Sequence, residues 1–83
     1  MPNKKEIAKA KINALSFAWG FLAYLSEGYE DNELSDNLAQ DVDDNRMSEK
    51  EARLTQKMAN HEADIIHRKM WKLIRTHGLA LSK

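Results

Sequence analysis

The chain has 83 residues, of which 42% are hydrophobic and 31% charged, with one proline, three glycines and no cysteine. This composition fits one small, mainly helical domain spanning residues 1–83, and it excludes a disulfide framework, a thiolate metal site and a cysteine nucleophile. The formal net charge is zero, although residues 27–51 are net acidic and both flanking segments are net basic. A cysteine-free chain suits a reducing compartment, so we expect a cytoplasmic protein.

The first predicted element is an apolar helix from about residue 5 to residue 26. Its segment Ala14–Leu25 carries no charge, and apolar side chains occupy most of the helix circumference. Lysines precede this segment as in a signal peptide, but no small-residue cleavage site follows Leu25. The segment is also shorter than the ~20 apolar residues that a membrane-spanning helix needs. We therefore expect no membrane insertion, and a core helix that must be covered on several sides.

The second predicted element is a short acidic helix over about residues 31–43. Its apolar residues recur every four positions and form one thin line, which is typical of an element that lies over a core as a flap. Asp31 or Asn32 would cap its start. The carboxylates form a candidate surface for a protein partner, on which they would mimic the charge of nucleic acid. This acidic surface consists of Asp36, Asp41, Asp43 and Asp44.

The third predicted element is a long helix over about residues 49–77. Ser48 and Glu51 have the spacing of a capping box, and Gly78 is a typical residue for the end of a helix. The helix carries a main apolar stripe, which would face the first helix. A second stripe, rotated by more than a quarter turn, consists of Leu54, Met58, His61 and Ile65.

Two apolar stripes on one helix require two neighbours, and the short acidic helix cannot cover the second stripe along its length. We therefore predict that the second stripe is a homodimer interface. The predicted fold is all-α: an antiparallel hairpin of the N-terminal and C-terminal helices, with the acidic helix between them, that dimerises into a helical bundle.

A candidate binding surface surrounds Trp71, which falls on the polar side of the long helix. One helical turn before it lie His67 and Arg68, one turn after it lies Arg75, and Lys72 follows it directly. An exposed aromatic ring among cations is typical of a hot spot for a protein partner, or of a surface that stacks a nucleic-acid base. The alternative is that Trp71 packs under the acidic helix or against a second copy.

Metal binding and catalysis find little support in the sequence. The segment 41–52 has oxygen-bearing side chains at alternate positions, as in a calcium-binding loop, but Arg46 and Ala52 replace the required glycine and bidentate glutamate. The histidines and Asp64 of the long helix have suitable spacing for a metal, yet His61 projects to a different face from His67. No Ser–His–Asp pattern or phosphate loop is present. We expect no metal, no cofactor and no enzymatic activity.

The expected function is that of a non-enzymatic helical interaction protein. It would act as a homodimer and bind a partner protein as an adaptor, regulator or inhibitor, a role common among compact bacterial and phage proteins. The alternative is binding of nucleic acid or a nucleotide through the basic residues around Trp71.

Overall fold

A computed structural model of the protein describes residues 1–78. In this range the chain forms three α-helices and no strand. The helices are α1 (Lys4–Ser26), α2 (Asp36–Asp43) and α3 (Glu49–His77), and a single 3₁₀ turn (Tyr29–Asp31) lies between α1 and α2. Helix α1 packs on α3, and α2 contacts both. The all-helical class is confirmed. None of the three helices is long and apolar enough to cross a membrane.

Side-chain caps fix the starts of α1 and α3. At α1, the Asn3 side chain accepts a hydrogen bond from the Glu6 amide at 2.8 Å, and the Glu6 carboxylate accepts one from the Asn3 amide at 3.3 Å. This is a complete capping box, which the sequence analysis missed. At α3, Ser48 Oγ accepts from the Glu51 amide at 3.1 Å as predicted. The predicted box is incomplete there, because the Glu51 carboxylate accepts from the Ser48 hydroxyl instead of the backbone amide.

Helix α2 begins five residues later than its predicted start at residue 31. Asn32 adopts a left-handed conformation (φ 58°) at the end of the 3₁₀ turn, so the helix cannot continue through it. Its carbonyl and side-chain oxygens accept from Arg53 of α3 at 3.2 and 3.3 Å. The prediction that Asp31 or Asn32 caps α2 is therefore wrong: the residue at the start of α2 is Ser35.

The core lies between α1 and α3. Ile12 is buried against Met70 and Ile74, with further apolar side chains packed around them. The predicted main stripe of α3 is buried at five of its seven residues, namely Ala52, Ala59, Ala63, Met70 and Ile74. Its other two residues, Ile66 and Leu73, are partly buried. A neighbour on the same face, Gln56, is also buried.

The expectation that α1 is covered on several sides is not met by the residues that the structure describes. Its fully buried residues, Ala8 and Ile12, lie on the face toward α3. On other faces, Phe17 remains 83% exposed and Phe21 62% exposed. Helix α2 covers little of α1, because it has only eight residues and its one buried residue is Leu38.

The two cap serines are expected to respond oppositely to alanine. Ser48→Ala removes a cap hydrogen bond and should lower the free energy of unfolding by ~1 kcal/mol. Ser35 makes no cap hydrogen bond, and its buried hydroxyl has no hydrogen-bond partner. Ser35→Ala should therefore leave the stability unchanged or raise it by up to ~1 kcal/mol. Urea unfolding of both variants checks this, and equal losses would contradict it.

Candidate functional site

Three aromatic rings form a cluster at the surface where α1 meets α3. The Trp71 indole N–H donates to His67 Nε2 at 2.9 Å. The His67 ring stacks on Trp19 of α1, with centroids 5.8 Å apart, and meets Trp71 edge-on at 6.2 Å. Trp19 is 38% exposed and Trp71 is 41% exposed. The cluster therefore joins the two helices while leaving much of both indoles open to solvent.

Beside this cluster is an open groove of about 660 Å³, which we call the aromatic groove. It is lined by Trp19 and Ala23 of α1, by Tyr29 of the 3₁₀ turn, and by Met58 and other residues of α3. Its polar lining residues are Ser26, Glu30, Lys57, Asn60, His61, Asp64 and His67. Aromatic and thioether side chains among polar ones are typical of a protein-interaction surface.

The 3₁₀ turn of the aromatic groove is held in place by Gln56, which is buried beneath it. The Gln56 side-chain amide donates to the carbonyl oxygen of Glu27 at 2.9 Å and to that of Glu33 at 2.8 Å. These carbonyls stand on either side of the turn that carries Tyr29 and Glu30. Because both hydrogen bonds are made by one buried side chain, Gln56 fixes the position of this turn relative to α3.

The basic residues predicted around Trp71 are not grouped in one place. The Arg68 guanidinium pairs with the Asp64 carboxylate at 2.6 Å. Lys72 lines a second groove of about 570 Å³ with Lys11, Lys69 and apolar residues, and this groove shares no lining residue with the first. Arg75 is exposed on α3. Of the predicted binding residues, the structure thus brings His67 and Trp71 into contact with each other and places Lys72 in a separate groove.

The residues of the second stripe remain largely open in the single chain. Leu54 is 53% exposed and Met58 is 51% exposed. His61 is exposed, whereas Ile65 is partly buried. Met58 and His61 line the aromatic groove together with His67. Residues that the sequence analysis assigned to two different surfaces therefore meet in one groove.

The predicted acidic surface is open to solvent. Asp36, Asp43 and Asp44 are exposed and Asp41 is partly buried, and the Asp44 carboxylate accepts from Gln40 at 3.2 Å. Within residues 1–78 the ion pairs join Arg53 to Glu49 and Arg68 to Asp64, both inside α3. No ion pair in this range links the acidic surface to a basic segment.

Side chains suited to a metal ion are not grouped in the described part of the chain. Among residues 1–78, no three His, Asp or Glu side chains are placed to hold one ion. His61 and His67 both line the aromatic groove, but the Nε2 atom of His67 accepts the Trp71 hydrogen bond. That ring nitrogen is thus already engaged within the protein.

The site residues predicted from the sequence did not include Trp19, Tyr29 or Gln56. Trp19 gave no local signal, because its role depends on which face of α1 meets α3. Tyr29 gave none, because its position depends on the long-range hydrogen bonds of Gln56 that hold the 3₁₀ turn. Gln56 did give a signal in the sequence, because it lies on the buried face of α3 between Ala52 and Ala59. A polar residue inside an apolar stripe indicates a buried hydrogen bond.

Known proteins provide no template for this groove. Comparisons with protein-family models, curated proteins and solved structures returned no match. What the groove binds is therefore inferred from its own residues.

Proposed function

We propose that this protein is a non-enzymatic, cytoplasmic interaction protein that binds a partner protein in the aromatic groove, as an adaptor, regulator or inhibitor. The observation that supports this best is an open groove between two helices whose aromatic and thioether side chains the chain leaves uncovered. Aromatic residues in such positions are the commonest hot spots of protein interfaces. The acidic surface of Asp36, Asp41, Asp43 and Asp44 would extend the contact to basic residues of the partner.

The rigidity of the groove favours binding. The Trp71–His67 hydrogen bond and the His67–Trp19 stacking restrict the rotation of all three rings. Preorganised side chains lose less conformational entropy on association, so more of the contact energy is available as affinity. An apolar face of a partner helix fits this geometry, because its side chains would enter a groove that runs between two helices.

The proposed assembly is a homodimer of antiparallel hairpins that forms a helical bundle. The contacts between α1 and α3 support the hairpin, because they run in opposite order along the two helices. Ile12 meets Met70 and Ile74 near the end of α3, whereas the Glu27 carbonyl, after the end of α1, meets Gln56. The exposed apolar residues on both helices support dimerisation.

Trp71→Ala is expected to weaken capture of the partner strongly, because Trp71 holds the His67 ring that lines the aromatic groove. Tagged wild-type protein and the variant are incubated with extract of the native cells, and captured proteins are identified by mass spectrometry. Loss of a hot spot worth 2 kcal/mol or more raises the Kd about 30-fold, which calorimetry with the purified partner measures. Glu62→Ala, an exposed change on the same helix, is the control and should bind normally. A partner that Trp71→Ala retains at full affinity would contradict the proposal.

A second candidate function is the binding of nucleic acid or a nucleotide through the basic residues around Trp71, which are Arg68, Lys69, Lys72 and Arg75. It is favoured by one observation: Lys72 and Arg75 form no ion pair with any residue in the range 1–78. Fluorescence anisotropy with labelled single-stranded and duplex DNA tests it. Binding at 50 mM salt that falls steeply by 200 mM and weakens in Arg75→Ala would support this function. Absence of binding at low salt would exclude it.

A further inference from the structure

The outward face of α1 is apolar and open to solvent. Phe17, Phe21 and Tyr24 are 83%, 62% and 46% exposed, and Ile7 is 43% exposed. Phe17 thus exposes a larger fraction of its surface than Leu54 or Met58 of the second stripe on α3. An apolar surface of this kind on a small protein marks an interaction site.

The exposed residues of this face follow a heptad pattern. Their spacing alternates between three and four residues, so they form one continuous seam along α1. The seam consists of Ile7, Ala10, Ala14, Phe17, Phe21 and Tyr24, all of which are exposed. None of them lines the aromatic groove. A second helix can therefore pack on the seam without covering that groove.

We infer that the seam of α1 packs against the seam of a second copy of this chain, with the two α1 helices antiparallel. This inference rests on the proposed homodimer and assigns its interface to α1 instead of the second stripe of α3. The dimer has two-fold symmetry, so that each contact occurs twice. The aromatic groove of each copy stays open for the partner protein.

Side-chain volume favours the antiparallel arrangement. In that orientation each layer of the seam combines a large ring with a smaller residue, because large and small residues occupy opposite ends of the seam. The layers pair Ile7 with Tyr24, Ala10 with Phe21, and Ala14 with Phe17. A parallel pair would instead place phenylalanine against phenylalanine and alanine against alanine. That arrangement is overpacked at one end and leaves voids at the other.

Charge favours the same orientation. The start of α1 is rich in lysine, and the segment just after its end is rich in carboxylates. The basic group is Lys4, Lys5, Lys9 and Lys11, and the acidic group is Glu27, Glu30, Asp31 and Glu33. An antiparallel pair places the basic group of each copy beside the acidic group of the other, whereas a parallel pair places like charges together.

The exposed rings of the seam supply a large part of the area that a dimer interface needs. A whole aromatic ring buries 150–250 Å², so the exposed parts of Phe17, Phe21 and Tyr24 contribute roughly 700 Å² over two copies. A stable interface buries at least ~1,200 Å² in total. The rings therefore supply more than half of that minimum, and Ile7 and the alanines add to it.

Light scattering of the full chain tests the interface. The wild type at 50–100 µM, on the order of the concentrations at which weak dimers form, should have about twice the chain mass of 9.6 kDa. Phe17→Asp places a charge in the centre of the seam and should give a monomer with unchanged helical circular dichroism. Met58→Asp, a matched change on the second stripe, should remain a dimer. A monomeric wild type, or a dimer that Met58→Asp disrupts and Phe17→Asp does not, would overturn the inference.

Disulfide trapping tests the orientation, because the chain has no cysteine of its own. Ile7→Cys protein is mixed under mild oxidation with Tyr24→Cys protein that carries a tag of different mass. The antiparallel seam predicts that the mixture forms the mixed disulfide, whereas either variant alone does not cross-link. Cross-linking of each variant with itself would show a parallel pair and overturn the inference.

Failure of the dimer inference can be distinguished from failure of the proposed partner binding. Phe17 lies outside the aromatic groove, so monomeric Phe17→Asp should still capture the protein that Trp71→Ala loses. Trp71-dependent capture by a monomeric wild type would remove the dimer inference and keep the groove function. A dimeric wild type that captures no partner would remove the groove function and keep the dimer inference.

Discussion

Replacing Gln56 with leucine should lower the free energy of unfolding by about 2–4 kcal/mol, because it leaves two carbonyl groups without their buried donor. The Gln56 amide serves both Glu27 and Glu33, and its side chain is only 2% exposed. A domain of this length has a total stability of roughly 4–12 kcal/mol. The variant should therefore lose a substantial part of the total stability, which urea titration at a fixed protein concentration measures.

Gln40→Leu is the matched control for this prediction. Gln40 is exposed, and its amide donates only to the Asp44 carboxylate one turn later, so its loss should change stability by less than ~0.5 kcal/mol. Gln56→Glu should be at least as destabilising as Gln56→Leu, since it places a carboxylate oxygen against two carbonyl oxygens. If Gln56→Leu were as stable as the wild type, the turn would not depend on this side chain.

Gly28→Ala is expected to destabilise the protein by about 1–3 kcal/mol. Gly28 has a φ of +88°, and a Cβ atom added there would lie 2.9 Å from the carbonyl oxygen of Glu33. That oxygen already accepts the Gln56 hydrogen bond, so it cannot move away freely. The variant should also weaken partner binding, because the 3₁₀ turn with Tyr29 follows directly. Thermal unfolding and the capture assay measure the two effects.

Gly20→Ala serves as the control, and its effect on stability should be opposite to that of Gly28→Ala. Gly20 lies inside α1, and an added Cβ atom there would have no neighbour within 4 Å. Alanine in a helix interior is favoured over glycine by about 0.5–1 kcal/mol, so this variant should be slightly more stable than the wild type. Two glycine substitutions that lowered stability equally would contradict the assigned role of Gly28.

The two faces of α1 explain how so small a chain would have separate surfaces. One face supplies the core and, at Trp19, a wall of the aromatic groove. The opposite face carries the exposed rings of Phe17 and Phe21. In the proposed assembly the first face serves the partner protein and the second serves the homodimer. A substitution on one face should therefore leave the other interaction intact, except through changes in overall stability.

Several features of the protein follow from local sequence alone. Helical periodicity predicted the three helices, and the main apolar stripe of α3 is buried as expected. Ser48 caps the start of α3, and Gly78 ends this helix in a left-handed conformation. Gly28, which is also left-handed, follows the end of α1. These features depend on residues within one or two helical turns of each other. The start of α2 was misplaced because Asn32 is held by Arg53, which lies far away in the sequence.

Only the tertiary structure decided which residues form the groove. Helix α1 is apolar around most of its circumference, so its periodicity does not specify which face turns toward α3. That rotation determines whether Trp19 stacks on His67 and whether Phe17 points to solvent. It also brings Met58 and His61 into the same groove as His67. A helix with a narrow apolar stripe would have fixed its own orientation, whereas α1 is oriented by packing against α3.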